Sequence, residues 1–430
     1  MGQGQRSHKG QTERSGTRRP VMRHVIIGAS VAGITAAAKI KKLSPEQEVI
    51  VLSGEGVQPY GKMSLPYILS GMTWFENCML PSVDGVEIAL NKYVDGVDTV
   101  SKTVHTKDGE QLDYDRLLIA TGTSPFIPDI PGSRLPSVVG VRNIGDIEVI
   151  RKRIAESTQK RVILAGAGLV NAEIGDALVK LGIPVTYVIS SDRVLSQIVD
   201  REASAIIEKS FAGLDVELLK GEDIQEIEEK DGALEVKLAS GKVLSGSCVV
   251  YGKGVRPNTG FLKGTDVRLN KGVVLGRYLE TSVPGIYGAG DAVETDDILL
   301  GEKTLHALWP VAVEQANNAA ENMLGMEMPY GGDVLRNILM VFGQTLFTGG
   351  ISTHDEGDVY RNVSDGEYRK IVVKDGQLRG FVFVGEGVVN PGVYLRMMRD
   401  QTDISTMINP VLHGTIAHAD LYSSVFKVAL

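Results

Sequence analysis

The sequence predicts an α/β protein of several domains, and three observations carry that expectation. Two stretches, at 24–52 and 162–189, each run strand, glycine-rich turn, helix, strand. The chain holds 50 glycines in 430 residues without a three-residue period, which suits many tight strand-to-helix turns. Past residue 327 the apolar runs read as strands, and Asp375-Gly376 supplies a hairpin turn between two of them.

The first unit opens with the apolar run His24 to Ile27, followed at once by Gly28-Ala29-Ser30-Val31-Ala32-Gly33. An Ala-rich helix is expected from Ile34 to Leu43 and a second strand from Glu48 to Leu52. Gly28 permits the tight turn, Gly33 lets helix approach strand, and the helix N-terminus offers free N–H groups to a pyrophosphate. Ser30 stands where the pattern has its middle Gly. About twenty residues after Gly33, where an acid would hold a ribose hydroxyl, stands Ser53, with Glu55 two further on.

The second unit begins at Arg161. Val162 to Ala165 reads as a strand, Gly166-Ala167-Gly168-Leu169-Val170-Asn171 as the turn, Ala172 to Leu181 as a helix and Pro184 to Ile189 as a strand. Asn171 replaces the third Gly and is expected to hold helix and strand slightly further apart. Three shorter signals complete the pattern. Asp113 to Gly122 is an acidic turn, a strand and a small-residue end; Gly254 to Asn258 breaks the chain after the strand Cys248 to Tyr251. Thr281 to Asp291 is a short strand ending in Gly-Ala-Gly-Asp, and Asp291 could accept hydrogen bonds from a polyol. Further strands are expected at Val334–Thr348, Tyr368–Val373 and Gly380–Val384.

Composition narrows the function classes. With 45 basic against 53 acidic residues the formal charge is −8, which disfavours nonspecific nucleic-acid binding. Two cysteines, Cys78 and Cys248, cannot build a disulfide framework, a Cys-rich metal site or Fe–S ligation, and no metal site is expected. No run reaches roughly 18 apolar residues, so no transmembrane helix is expected. Residues 1–21 are basic and polar without an apolar core, so a disordered leader is expected rather than a secretory signal, and the chain is expected to be cytoplasmic.

The order of these motifs resembles the FAD-dependent pyridine nucleotide–disulfide oxidoreductase superfamily, from Met22 to Leu430. The resemblance implies two Rossmann-like nucleotide-binding domains, one for FAD and one for NAD(P), and a C-terminal α+β dimerisation-type domain. The FAD domain would span 22–144 and 258–326, the NAD(P) domain 145–257 and the C-terminal interface domain 327–430. By resemblance Gly28, Ser30, Gly33, Ser53, Thr121, Gly122, Gly290 and Asp291 would hold FAD. Glu314 would do so from the run His306 to Ala316, which matches the helix beside the flavin ring. Gly166 and Gly168 would face the nicotinamide dinucleotide, with Glu173 near the nicotinamide.

The segment Pro59-Tyr60-Gly61-Lys62-Met63-Ser64-Leu65-Pro66-Tyr67 resembles the coenzyme A-disulfide reductase and NADH oxidase branch, which carries a redox cysteine where Met63 stands. A thioether cannot form a thiolate or cycle through a sulfenic acid. Cys78 lies outside the segment, and Cys248 reads as a buried strand residue. The same segment is similar to the rubredoxin and ferredoxin reductases and the flavoprotein part of nitrite reductases, where a basic residue, here Lys62, lies near the flavin. Lys62 and Glu173 are therefore the candidate catalytic residues. Their plainer readings are a solvated lysine and a surface charge on a helix, and His306 reads as a satisfied helix-terminal histidine.

The function so implied is an NAD(P)H:acceptor oxidoreductase exchanging electrons with an iron–sulfur protein or a ferredoxin-like subunit of a larger complex, such as a ferredoxin-linked 2-oxoacid dehydrogenase. A homodimer or a place in a hetero-oligomer would use the C-terminal domain. The strand end Ile189-Ser190-Ser191 lacks the ribose-binding acid, Asp192 lying past it, and has only Arg193 as a nearby basic residue, which leans toward NAD(H) without excluding NADP(H). Two alternatives stand beside it: an NADH oxidase using oxygen or a quinone, and a non-catalytic flavin-binding structural or sensing subunit.

Overall fold

The computed structural model describes residues 20–353, 355–364, 366–385 and 390–416. All but two residues of the expected leader lie outside them. The molecule is a mixed α/β protein with two parallel sheets of Rossmann type and a C-terminal antiparallel sheet.

The first parallel sheet has the order Ile286–Gly288, Arg116–Ile119, Arg23–Ile27, Glu48–Leu52, Val86–Ala89. Its strands read as unbroken apolar runs because both faces are covered; Val25, Ile26, Val51, Leu117, Leu118 and Ile119 are fully buried. Helix Val31–Leu43 packs on one face beside helix Trp309–Met323, Ala36 and Ala37 meeting Ala316, Ala319 and Ala320 in one core. Small residues there allow close helix approach. The strand Ile286–Gly288 comes from far along the chain, so the second unit lies in sequence between two strands of this sheet.

The second parallel sheet has the order Val216–Lys220, Val185–Ile189, Val162–Ala165, Cys248–Tyr251, Val138–Val139. Its helix runs from Leu169 to Lys180, three residues ahead of the expected start. Asn171 is wholly buried, and its Nδ2 donates to the carbonyls of Ala165, Gly166 and Val250 at 3.2, 2.8 and 3.1 Å. The side chain thus cross-links two strand ends, and its room comes from Gly252, where a Cβ would fall 2.4 Å from the Asn171 Cγ.

Chain leaves the first sheet at Thr123–Pro125 and returns at Val255–Pro257, and these two segments pair antiparallel with each other. Asn258 fastens the crossing: its Nδ2 donates to Thr121 O at 3.0 Å and its Oδ1 accepts from Ser124 Oγ at 2.7 Å. Thr121 Oγ1 donates back to Asn258 O at 2.8 Å.

The C-terminal sheet runs Arg336–Val341, Gln344–Gly350, Gln377–Val384, Glu367–Lys374, Asp358–Ser364, every pair antiparallel. The expected single strand Val334–Thr348 is two strands, split by Phe342 (φ 51°) and Gly343 (φ 74°). One face, with Leu339, Val341, Leu346 and Val382, shares a core with Ile174 and Leu178 of the second unit. The other carries Phe347, Phe381 and Phe383 against Tyr394 and Met397.

The close approach at the first turn is testable. A Cβ on Gly33 would lie 1.9 Å from Gly28 O, a backbone atom that cannot yield. Gly33→Ala is expected to cost about 1–3 kcal/mol in urea unfolding. Gly392→Ala, whose Cβ meets nothing within 4 Å, is expected to be neutral or stabilising. Equal midpoints for the two variants would contradict this packing.

Candidate functional site: a dinucleotide-sized cavity at the first sheet

Strand order in the first sheet reverses at Arg23–Ile27, whose neighbours on either side leave in opposite directions. A crevice forms outside the carboxyl ends of strands at such a point. A cavity of about 630 Å³ opens there, with Ile27, Leu52 and Ala120 at its floor. Gly28 has φ 113°, and a Cβ on it would sit 2.1 Å from Ala120 O, so only glycine closes this turn. Ser30 is the N-cap of helix Val31–Leu43 and makes no side-chain capping bond. The first N–H groups of that helix therefore remain donors at the cavity.

Most of the expected FAD set meets here. Gly28, Ser30, Ser53, Lys62, Thr121 and Gly122 all line the cavity. Ser53 is buried, and its Oγ accepts from Glu55 N at 3.2 Å. Glu55 in turn ion-pairs with Lys62 through Oε1 and accepts from Tyr60 OH through Oε2 at 2.9 Å. Tyr60 OH accepts from Ile144 N at 2.9 Å, so the carboxylate ties the Lys62 segment to the start of helix Ile144–Glu156. Burial, with the Glu55 charge next, pushes the Tyr60 phenol well above its usual range.

The remaining residues lie elsewhere. Gly33 is behind the turn, in the helix–strand contact. Gly290 has φ 85° and gives its N–H to Gln315 Oε1 at 2.8 Å. Asp291 stands one ion pair from the cavity, its Oδ2 2.9 Å from Arg142 Nη2. Glu314 is outside the cavity wall and pairs with both Nη atoms of Arg399, at 3.2 and 2.7 Å. Gly166 and Gly168 lie at the second unit's turn, Gly166 with φ 94° and Gly168 as N-cap. Glu173 faces the segment that carries Lys62, in a small groove with Pro66, Tyr67, Met72 and Met340.

Three wall residues carried no sequence signal of their own. Arg142 precedes a capping box (Asn143 with Asp146) and reads as an ordinary pre-helix residue. Lys92 pairs with Asp108 and Glu110, both at 2.6 Å, in a stretch without any motif. Asn258 falls in the Gly254–Asn258 chain break, which marked the place without marking the side chain.

The wall suits a dinucleotide. It combines a helix N-terminus, hydroxyls and amides with three ion-paired cations, Lys62, Lys92 and Arg142, and the carboxylates Glu55 and Asp95. A cavity in the hundreds of Å³ is of ligand size. Neither cysteine lines it: Cys248 is buried, its thiol pushed up to about 12 by burial, and Cys78 is bonded near Trp74. Met63 is 58% exposed.

Fold and site together define a protein with two Rossmann-type units and a dinucleotide-sized cavity at the first. The chain belongs to the pyridine nucleotide-disulphide oxidoreductase family, whose sequence profile matches residues 22–316. It is 30% identical to an NADH oxidase of Methanocaldococcus jannaschii over 72% of this chain and 71% of that protein. It is 29% identical to the epsilon subunit of the NADH-dependent phenylglyoxylate dehydrogenase of Aromatoleum evansii, over 90% and 93% of the two chains. Putidaredoxin reductase, solved in covalent complex with putidaredoxin, superposes with a TM-score of 0.84 at 20% identity, covering 94% of this chain and 98% of that one. FAD and NAD(H) or NADP(H) are the cofactors of this family and its structural neighbours.

Glu173 supplies a pH prediction. Burial, then the Asp176 carboxylate, pushes its carboxyl from 4.5 up to about 7. The folded state therefore holds a proton that the unfolded chain releases near 4.5. This contribution to stability is complete below that value and is lost as pH rises through 7. Glu173→Gln is expected to raise the urea midpoint at about pH 8 and leave it unchanged at about pH 4. The opposite order would contradict the burial.

Proposed function

We propose that this chain is an FAD-dependent NAD(P)H:acceptor oxidoreductase that works without a redox-active thiol. The observation that carries the reading is the cavity at the strand-order reversal, whose wall contains Lys62 and no cysteine. FAD held there by Gly28, Ser53, Thr121 and Gly122 would supply the redox chemistry, hydride acceptance and one- or two-electron transfer. The chain's own residues bind and orient. The N-terminus of helix Val31–Leu43 and Arg142 answer phosphate charge, while Ser53 and Asn258 offer polar contacts along the cavity. Lys62 supplies a cation whose ammonium is aimed by Glu55.

The second unit would take the nicotinamide dinucleotide, with Gly166 and Gly168 at the turn and Glu173 toward the Lys62 segment. Arg193 supports the lean to NAD(H). Its guanidinium is held by Val199 O, Ser196 O and Asp192 at 3.4, 3.2 and 3.1 Å, leaving it committed to its own loop rather than to a 2′-phosphate.

The acceptor or donor we propose is an iron–sulfur protein or ferredoxin-like subunit. Two cysteines cannot ligate a cluster within the chain, so a one-electron centre would belong to a partner. The nearly full-length similarity to a subunit of an NADH-dependent dehydrogenase supports a place in such a complex. The similarity to an NADH oxidase favours a second reading, direct reduction of oxygen. Oxygen uptake by the purified chain alone at the rate of NADH consumption would select it.

Anaerobic titration of the yellow protein with NADH and then NADPH is the test. Full bleaching by NADH, with NADPH weaker, is expected. A colourless protein, or one bleached by neither, would sink the proposal. Lys62→Met is expected to keep FAD bound and to slow bleaching on the order of a hundredfold, as when one electrostatic group is lost from an active site. An unchanged rate would return Lys62 to a surface role.

A further inference from the structure

Behind the Gly290–Asp291 turn runs a line of buried polar side chains that binding and redox chemistry do not use. Gly290 N–H donates to Gln315 Oε1 at 2.8 Å, and Gln315 Nε2 donates to Thr295 Oγ1 at 3.1 Å. Thr295 Oγ1 is 3.4 Å from His306 Nδ1, and His306 Nε2 is 3.1 Å from Asp297 Oδ2. Gln315 and Thr295 are 0% and 2% exposed, His306 and Asp297 1% and 3%. None of the four leaves a buried polar atom unpartnered. They join three elements: strand Val293–Asp296, the loop after strand Lys303–Leu305, and helix Trp309–Met323.

The line has a direction, and one end sets it. Asp297 Oδ1 is anchored by the N–H groups of Leu299 and Leu300, both at 2.9 Å. Burial alone would raise its carboxyl, but the hydrogen bonds from His306, Leu300 and Leu299 outweigh this and hold it below the usual range. An ionised carboxylate only accepts, so His306 Nε2 must donate to it. A ring that carries its proton on Nε2 alone accepts at Nδ1, and the Thr295 hydroxyl then turns its proton toward it. Thr295 oxygen is left to accept from Gln315 Nε2. The amide of Gln315 is nearly symmetric in shape, so packing does not choose which end meets Gly290; the bonds do. Reversing the line would set an NH2 against the Gly290 N–H, two buried donors face to face.

We infer that His306, anchored by Asp297, is a positioning residue that orients the Ala289–Gly290 peptide, which leads into Asp291, through Thr295 and Gln315, and with it the Asp291–Arg142 pair beside the cavity. Its effect on the cofactor rests on the flavoprotein reading above; the hydrogen-bond line itself does not. Asp291 follows directly on Gly290 and pairs with Arg142, which lines the cavity.

The test has two arms on the full-length protein. In the first, nitrogen-15 labelled histidine is observed by NMR in protein stripped of cofactor. His306 is expected as the neutral Nε2–H tautomer, and a ring protonated on Nδ1 would overturn the inference. The second compares Thr295→Val, which cuts the line without changing side-chain shape, with Thr295→Ser, which keeps the hydroxyl. The Val variant is expected to shift the Gly290 amide resonance and weaken FAD binding about fivefold, with the Ser variant within about twofold of the unmodified protein. Identical amide shifts and affinities in Val and Ser variants would overturn it. If the unmodified protein binds no FAD, the proposed function fails alone, because the tautomer and the Gly290 amide are still read.

Discussion

The antiparallel crossing of Thr123–Pro125 with Val255–Pro257 is the constraint on which the remaining architecture depends. At these two segments the chain departs for the second sheet and comes back. Fixing departure and return to one another constrains how residues 126–254 are oriented, together with the packing of that unit on the C-terminal sheet. The two strands are short, and Asn258 supplements their pairing by bonding to Thr121 and Ser124 on the opposite segment. The same residues face the cavity. The hinge-like joint between the nucleotide-binding units is thus also part of the binding wall, so a ligand in the cavity touches both directions of chain travel.

A second junction lies between the second unit and the C-terminal sheet. The turn at Phe342–Gly343 gives its Phe342 N–H to Asp176 Oδ1 at 2.7 Å, and the Phe342 ring meets Phe211, which stacks on Tyr187. Lys370, almost wholly buried on the same sheet, pairs with Asp200, the N-cap of helix Arg201–Lys209, and with Asp355. A buried lysine without these acids would be costly to keep charged. Asp176 also neighbours Glu173 electrostatically, so the packing that seats the C-terminal sheet contributes to raising the Glu173 carboxyl.

Much of the first two units was legible because parallel strands covered on both faces must be apolar throughout, and glycine turns mark their ends. Val162–Ala165 and Cys248–Tyr251 fall where the pattern puts them. The C-terminal region was harder to read. In antiparallel strands a turn needs only residues that tolerate positive φ, and Phe342 gives no warning that the run Val334–Thr348 breaks there. Strand Asp358–Ser364 is an edge strand with mostly exposed, mixed side chains, and it escaped notice for that reason. Site residues divide the same way. Those defined by backbone demands, such as Gly28, announce themselves; Arg142 and Asn258 act through side chains brought together from distant positions, and no local spacing encodes that.

Asp291 is where these long-range contacts converge. From one side it receives Arg142, which belongs to the segment leading into helix Ile144–Glu156. From the other, the N–H of Gly290, the residue before it, is held by Gln315 of the helix that packs on the first unit. The far end of that hydrogen-bond line reaches Asp297, whose neighbour Ile298 bonds to Asp333 O at 2.9 Å where the C-terminal region begins. Replacing these buried polar groups by apolar ones of equal shape need not cost stability, because a satisfied network gains little over good packing. What apolar groups could not supply is a choice between two orientations of one amide. The four buried side chains of the line thus fix which end of the Gln315 amide meets the Gly290 N–H, one residue before Asp291.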